Sequence, residues 1–195
     1  MASTISIQAL SDWTHYLWLG LILVCLVMSP FTKTAYKRES LRSELNYLLP
    51  GALAAYLLFA SRTTPYWFNR PAYTVSLPVA VVGFVVAVCG ITTSVWARFA
   101  LNKNWSGTAE LKRDHELVRR GPYRITRHPI YSGFLLALFG SALERGLIRS
   151  FVAIAAFALC FYIKSLAEER LMVERFGGSY LRYRSEVRQL VPFLL

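Results

Sequence analysis

Apolar residues gather into runs along the chain, separated by polar and basic stretches. A membrane-crossing helix needs about 20 predominantly apolar residues. Trp13 to Met28 is the first candidate, closed by Ser29-Pro30, with Trp13, Tyr16 and Trp18 suited to an interface. Phe31 to Glu44 is polar and basic. A second run, about Asn46 to Ala60, is short and holds Pro50-Gly51, which predicts a kink. Ser61 to Tyr73 reads as a loop whose aromatics Tyr66, Trp67 and Phe68 suit the headgroup level. The third run, about Val75 to Ala97, is the clearest helix.

Arg98 to Arg127 is a polar stretch of 30 residues with eight basic and three acidic side chains. After Pro129 come Ile130 to Leu143, a turn at Glu144-Arg145-Gly146, and Leu147 to Leu166. The first of these runs reaches only about 21 Å at 1.5 Å per residue, so the two read as a tilted or packed helical hairpin. The tail from Glu168 starts as a charged helix that Gly177-Gly178 stops. These patterns predict an all-α, polytopic membrane protein of about five transmembrane helices. Residues 1–100 would hold three spans. Residues 101–195 would hold the hairpin with a cytoplasmic loop and tail, in one integrated domain.

Composition agrees with lipid as part of the solvent: 55% of residues are hydrophobic and mean hydropathy is +0.38. The net charge of +11 raises nucleic-acid binding, but the basic residues lie between apolar runs and no recognition motif accompanies them. The basic segments at 31–44, at 98–127 and in the tail fall on one side if five spans place the N-terminus outside and the C-terminus in the cytoplasm. No Lys or Arg precedes the first run, so it lacks the positive region of a signal peptide and is expected to be a retained helix. Cys25, Cys89 and Cys160 sit inside apolar runs without metal-ligand spacing. Neither a disulfide framework nor a metal site is expected.

Candidate chemistry gathers between Asn104 and Tyr131 and between Lys164 and Tyr183. Pro129 suits the first turn of a helix. His128 then stands at its N-cap, beside free N–H groups that can receive a ligand's negative group. By position alone His128 reads as a cap before a catalyst, and His115 as a loop residue. Lys164 and Glu168 are four apart on one helix face. They form either an interfacial salt bridge or a ligand site in which Glu168 meets a cation or hydroxyls and Lys164 an anion.

The order His115-Glu116-Leu117-Val118, Gly121-Pro122-Tyr123, Arg127-His128-Pro129-Ile130-Tyr131 and then Glu168-Glu169 ahead of Phe176-Gly177 closely resembles the isoprenylcysteine carboxyl methyltransferase family. The resemblance covers about Leu101 to Leu195. It implies transfer of a methyl group from S-adenosylmethionine, in a pocket enclosed by the last helices and the cytoplasmic loops. By the same resemblance the cofactor-binding residues would be Glu110, His115, Glu116, Leu117, Val118, Tyr123, His128, Pro129, Ile130, Tyr131 and Glu168. Lys164 stands where the eukaryotic enzymes carry a substrate-meeting arginine. Lysine keeps the charge and loses bidentate carboxylate binding.

The family implies a prenylated or lipidic acceptor met in the bilayer, and carboxyl O-methylation. A carboxylate is ionised at pH 7 and needs no base. A small thiol or a phospholipid amine would have to lose a proton, for which Glu110, His128 or Tyr131 are candidates. A reading from another class is a non-catalytic membrane transport or assembly protein. Transport calls for polar residues at mid-membrane, and the long runs have few.

Overall fold

A computed structural model describes residues 6–59 and 63–190. The expected end of the second run at Ala60, the loop start at Ser61 and Arg62, and the last residues of the C-terminal half lie outside these. Five long helices dominate: α1 (Ile7–Met28), α2 (Leu41–Phe59), α3 (Leu77–Leu101), α4 (Pro129–Arg145) and α5 (Ile148–Phe176). A short α6 (Gly178–Glu186) follows, and two small strands pair, β1 (Ala35–Arg38) and β2 (Glu110–Lys112). Three helices, α1, α3 and α5, are long and apolar enough to cross a membrane. Large apolar side chains such as Leu23, Val82 and Leu159 point outward from them. These features make the chain an integral membrane protein.

Helix starts and stops follow local chemistry. Ser6 caps α1 by accepting the Ala9 N–H at 3.1 Å. Pro78 and Pro129 occupy the first turns of α3 and α4, where a missing N–H costs nothing. Gly146 ends α4 in the left-handed conformation (φ 62°), and its N–H reaches Ala142 O. Pro50 lies inside α2.

The helices pair in a nested order: α3 packs most extensively on α4, and α2 on α5. The α3–α4 seam is made of small residues. Gly83, Ala87, Gly90 and Ser94 of α3 face Gly140, Ala137 and Gly133 of α4 so closely that a methyl added at Gly90 would fall on the backbone of Ala137 and Gly133. Without a hydrophobic force between helices in lipid, such close backbone approach is what drives their association. The α2–α5 pair is antiparallel, with Arg149 donating to Leu57 O, Gly51 against Cys160 and Lys164 near the Tyr47 ring. Helix α1 lies across α3 and α4. Its Thr14 hydroxyl donates to buried Glu144 at 2.8 Å and Trp18 Nε1 to Ser141 at 3.0 Å.

The expected hairpin is present, yet α4 and α5 each find their main partner elsewhere. Two features differ from the sequence reading. The basic segment after α1 supplies β1, which pairs antiparallel with β2. The Gly177-Gly178 pair stops α5, as expected, but a new helix begins at once at Gly178.

Candidate functional site

The site lies at the pole where Met28, Leu41, Leu101, Pro129 and the end of α5 meet. Counting about 20 residues of hydrocarbon from Ile148 puts Glu168 at the surface of the apolar layer. Helix α3 ends when Asn102 takes a positive φ of 49°. Arg98, 1% exposed, secures this corner: it donates to Asn102 O at 2.9 Å and Met28 O at 3.0 Å and lies over the Trp105 ring at 4.5 Å. The following loop runs back along the first one. Lys33 N–H donates to Lys103 O, Arg113 N–H to Thr34 O, and Glu39 N–H to Ala109 O. Gly121 (φ 60°) sits against the Trp96 indole, and a 3₁₀ turn over Gly121–Arg124 then buries Tyr123.

His128 does not cap α4: its side chain makes no cap hydrogen bond. It turns to α5, with Nδ1 3.3 Å from Glu168 Oε2 and Nε2 3.3 Å from Glu169 Oε1. The capping expectation fails because two carboxylates compete better for the ring than the helix's own N–H groups do. Burial alone would lower the His128 pKa, but the carboxylate contacts outweigh it and hold the pKa above the usual histidine value. Tyr131, one turn into α4, donates to Glu168 Oε1 at 2.5 Å. Its ring stacks between His128 (5.5 Å) and Phe161 (4.7 Å). Glu169 accepts from Arg127 Nε at 2.7 Å.

Residues 184–190 strap this corner from behind. Arg127 and His128 N–H donate to Arg188 O and Gln189 O, Arg127 Nη1 reaches Arg184 O at 3.1 Å, and Gln189 reaches Ser165 of α5 at 2.7 Å.

A cleft of about 780 Å³, counting its open mouth, lies between the loop, the start of α4, the end of α5 and α6. Glu110, His115, Glu116, Leu117, Val118, Tyr123, His128, Ile130, Tyr131 and Glu168 all line it. Pro129 is fully buried and is not on the wall. Lys164 is not on the wall either; it donates to Gly107 O at 2.5 Å and stands over the Tyr131 and Tyr47 rings. No ion pair joins it to Glu168 among the described residues, so the interfacial salt bridge weighed from their spacing does not form. Sequence reasoning missed Trp105, Ser106, Thr108, Met172, Tyr180 and Tyr183 as wall residues. The Asn104-Trp105-Ser106 element was the available signal for the first of these.

Of the three candidate proton acceptors, each is already engaged. Glu110 pairs with Lys112 at 2.6 Å and Arg38 at 2.9 Å. Burial would raise its pKa, but Lys112, Ser106 and Arg38 hold it below the usual carboxylate range. His128 is clamped as described, and the Tyr131 hydroxyl is spent on Glu168.

His115 accepts the Lys112 N–H on Nδ1 at 3.3 Å. Burial first, then the charges of Lys33, Lys112 and Arg175, lower its pKa to about 4. Between the unfolded value near 6.5 and about 4, the unfolded chain binds this proton and the folded chain does not. Stability is therefore expected to fall as pH drops through that window. Thermal unfolding of His115→Asn against the parent between pH 7 and pH 4.5 checks this. An equal slope in both would show that His115 does not contribute.

Residues 79–179, just over half of the chain, match the phospholipid methyltransferase family. Protein-S-isoprenylcysteine O-methyltransferase B of Arabidopsis thaliana is 29% identical over 115 residues, covering 57% of this chain and 58% of the relative. Protein-S-isoprenylcysteine O-methyltransferase of Schizosaccharomyces pombe is 35% identical over 86 residues, 42% of this chain and 35% of the relative. Methanethiol S-methyltransferase 1 of Bradyrhizobium diazoefficiens is 24% identical over 156 residues, 72% of this chain and 54% of the relative. Each match spans less than two thirds of the relative's own length. The resemblance to isoprenylcysteine methyltransferases read from the motifs is borne out by these relatives.

Proposed function

Because the chain belongs to the phospholipid methyltransferase family, we propose that it is a membrane methyltransferase. Its methyl donor is S-adenosylmethionine, and its acceptor is the carboxylate of an isoprenylcysteine-like, lipid-borne molecule. The observation that carries this reading is that Glu110, His128 and Tyr131 are all committed to other contacts. A carboxylate acceptor is ionised at neutral pH and asks for no base.

S-adenosylmethionine, when bound, supplies a methyl group already activated on a sulfonium. The cleft suits such a ligand. Glu168 offers a carboxylate, and Tyr123 and Trp105 offer aromatic surface for a cation and a flat base. Lys164, whose Nζ lies 5.4 Å from the centre of the Tyr131 ring, is the cation that pairs with the acceptor's carboxylate in this reading. The buried ring column of His128, Tyr131 and Phe161 keeps water from the meeting point. Low-polarity surroundings favour a reaction in which a positive and a negative charge cancel. Catalysis is then positioning and charge pairing, without proton transfer. In this reading five helices cross the bilayer with the basic loops inside, so the cleft would open on the cytoplasmic face.

A thiol acceptor, like that in the name of the Bradyrhizobium relative, or a phospholipid amine would need a proton acceptor, and Glu110, His128 and Tyr131 are already engaged. The test is calorimetric binding of S-adenosylmethionine to the purified protein, followed by transfer of labelled methyl to a prenylcysteine, a thiol and phosphatidylethanolamine. A base-labile methyl ester on the prenylcysteine is the expected product. Methylation of only the thiol or the amine would overturn the acceptor, and no binding by folded protein would restore the non-catalytic reading.

Lys164→Gln removes the charge yet keeps a donor for Gly107 O. It is expected to raise the acceptor KM about tenfold, the loss of one partly screened ion pair of about 1.4 kcal/mol, with donor affinity changed less than twofold. An unchanged KM would remove Lys164 from the acceptor site.

A further inference from the structure

We propose that Glu169 is a positioning residue that fixes His128 as a doubly protonated imidazolium, and that this cation holds Glu168 toward the cleft. Its catalytic consequence rests on the function proposed above; the charge state of His128 does not.

Glu168 and Glu169 are neighbours on α5, about 100° apart around the helix. Glu168 lines the cleft, while Glu169, 4% exposed, does not; it faces Arg127 and the strap. Both His128 nitrogens therefore meet carboxylate oxygens at 3.3 Å, one from each glutamate. In a neutral imidazole one nitrogen would present its lone pair to a buried anion, which is repulsive. With both nitrogens protonated, each meets its carboxylate as a donor.

Charge counting agrees. The titratable and charged groups around His128 are Glu168, Glu169 and Lys164 of α5, Tyr131 of α4, Tyr180 and Tyr183 of α6, and Tyr123 and Arg127 from the preceding turn. Lys164 is turned to Gly107 O, and burial keeps Tyr123, Tyr180 and Tyr183 neutral. Arg127 compensates only Glu169 directly. Among the groups in direct contact, the imidazolium and Arg127 are two cations for two carboxylates, with the Lys164 ammonium a third, more distant charge. The strap fixes its backbone through His128 N–H to Gln189 O at 3.1 Å, and stacking on Tyr131 at 5.5 Å holds the ring. The clamp thus sets the orientation of Glu168 without touching a ligand.

The test uses the ligand-free protein in lipid nanodiscs with ¹⁵N-labelled histidine. The chain has three histidines, and His128→Gln identifies the signal of interest. In the parent protein this ring is expected to remain doubly protonated at pH 8. In Glu169→Gln it is expected to be mainly neutral there. A neutral His128 in the parent at pH 7, or an imidazolium that persists unchanged in Glu169→Gln, would overturn the proposal.

Methyl transfer supplies the second readout. In Glu169→Gln, kcat/KM should stay within about threefold of the parent at pH 6 and fall at least tenfold by pH 8, with Glu169→Asp recovering part of the loss. A uniform loss at all pH values would mark a merely structural residue and overturn the positioning role. If the parent transfers no methyl group, the proposed function fails while the resonance measurement still decides the charge of His128.

Discussion

Glu168→Ala is expected to abolish donor binding while leaving the protein folded. The carboxylate accepts from the Tyr131 hydroxyl and faces His128, and it is the acidic group on the cleft wall nearest that pair. Truncating one partner of a buried, hydrogen-bonded charge pair costs roughly 2–5 kcal/mol, because the other charge stays behind unpaired. The corresponding loss of affinity is about 30-fold to several thousand-fold. A cationic ligand would feel the loss twice: its own counter-charge is gone, and an uncompensated imidazolium remains beside it. Calorimetry with S-adenosylmethionine and S-adenosylhomocysteine isolates this charge effect, since only the first ligand carries the sulfonium charge. Wild-type affinity in Glu168→Ala would mean that the donor lies elsewhere.

The second large effect is on folding. Gly90→Leu is expected to split the α3–α4 pair, since even a methyl there has no room against the Ala137 and Gly133 backbone. Backbone atoms cannot rotate away as a side chain could, so the helices must separate along the seam. The cost is on the order of 3 kcal/mol or more. Gly20→Leu is the control, because nothing lies within 4 Å of that position. Thermal unfolding in detergent, followed by tryptophan fluorescence, should show a large drop for the first and almost none for the second. Equal midpoints would contradict the close seam.

The membrane helices were legible because their apolar runs are long. What limited the reading was where a helix continues into polar sequence. Helix α2 begins at Leu41, with a polar turn that lipid patterning does not reveal, whereas the helical tail up to Gly177 was legible, though not that it continues the last apolar run without a break. The β1–β2 ribbon left no trace, since its pairing is made by backbone groups of residues far apart in the chain and its side chains are largely charged. For the same reason Arg38 could not be matched to Glu110 in advance. The motif residues around the cleft were visible as a set, and ten of them meet there. Their individual bonds were not. His128 looked like a cap because proximity in sequence suggested the nearest N–H groups, whereas its partners come from α5, some 40 residues on. Helix α6 was missed because two glycines suggest an end, and the chain used them to change direction and restart.

The nested pairing of the helices has a consequence for how the protein is made. A chain emerging into the bilayer from its N-terminus completes α2 long before α5 exists. Helix α3 must also wait, though only for the next helix, and α4 can join it as soon as the intervening loop is released. Helix α2, with Pro50 inside it, has to wait with its inner face uncovered until the last long helix arrives. During synthesis the vulnerable intermediate is therefore the four-helix chain, and the face of α2 around Tyr47, Ala54 and Leu57, buried in the finished protein, is the surface left uncovered. Closing the α2–α5 pair finishes the membrane assembly and brings Glu168 to the cleft in the same step, so a molecule stalled before that point carries no partly active site.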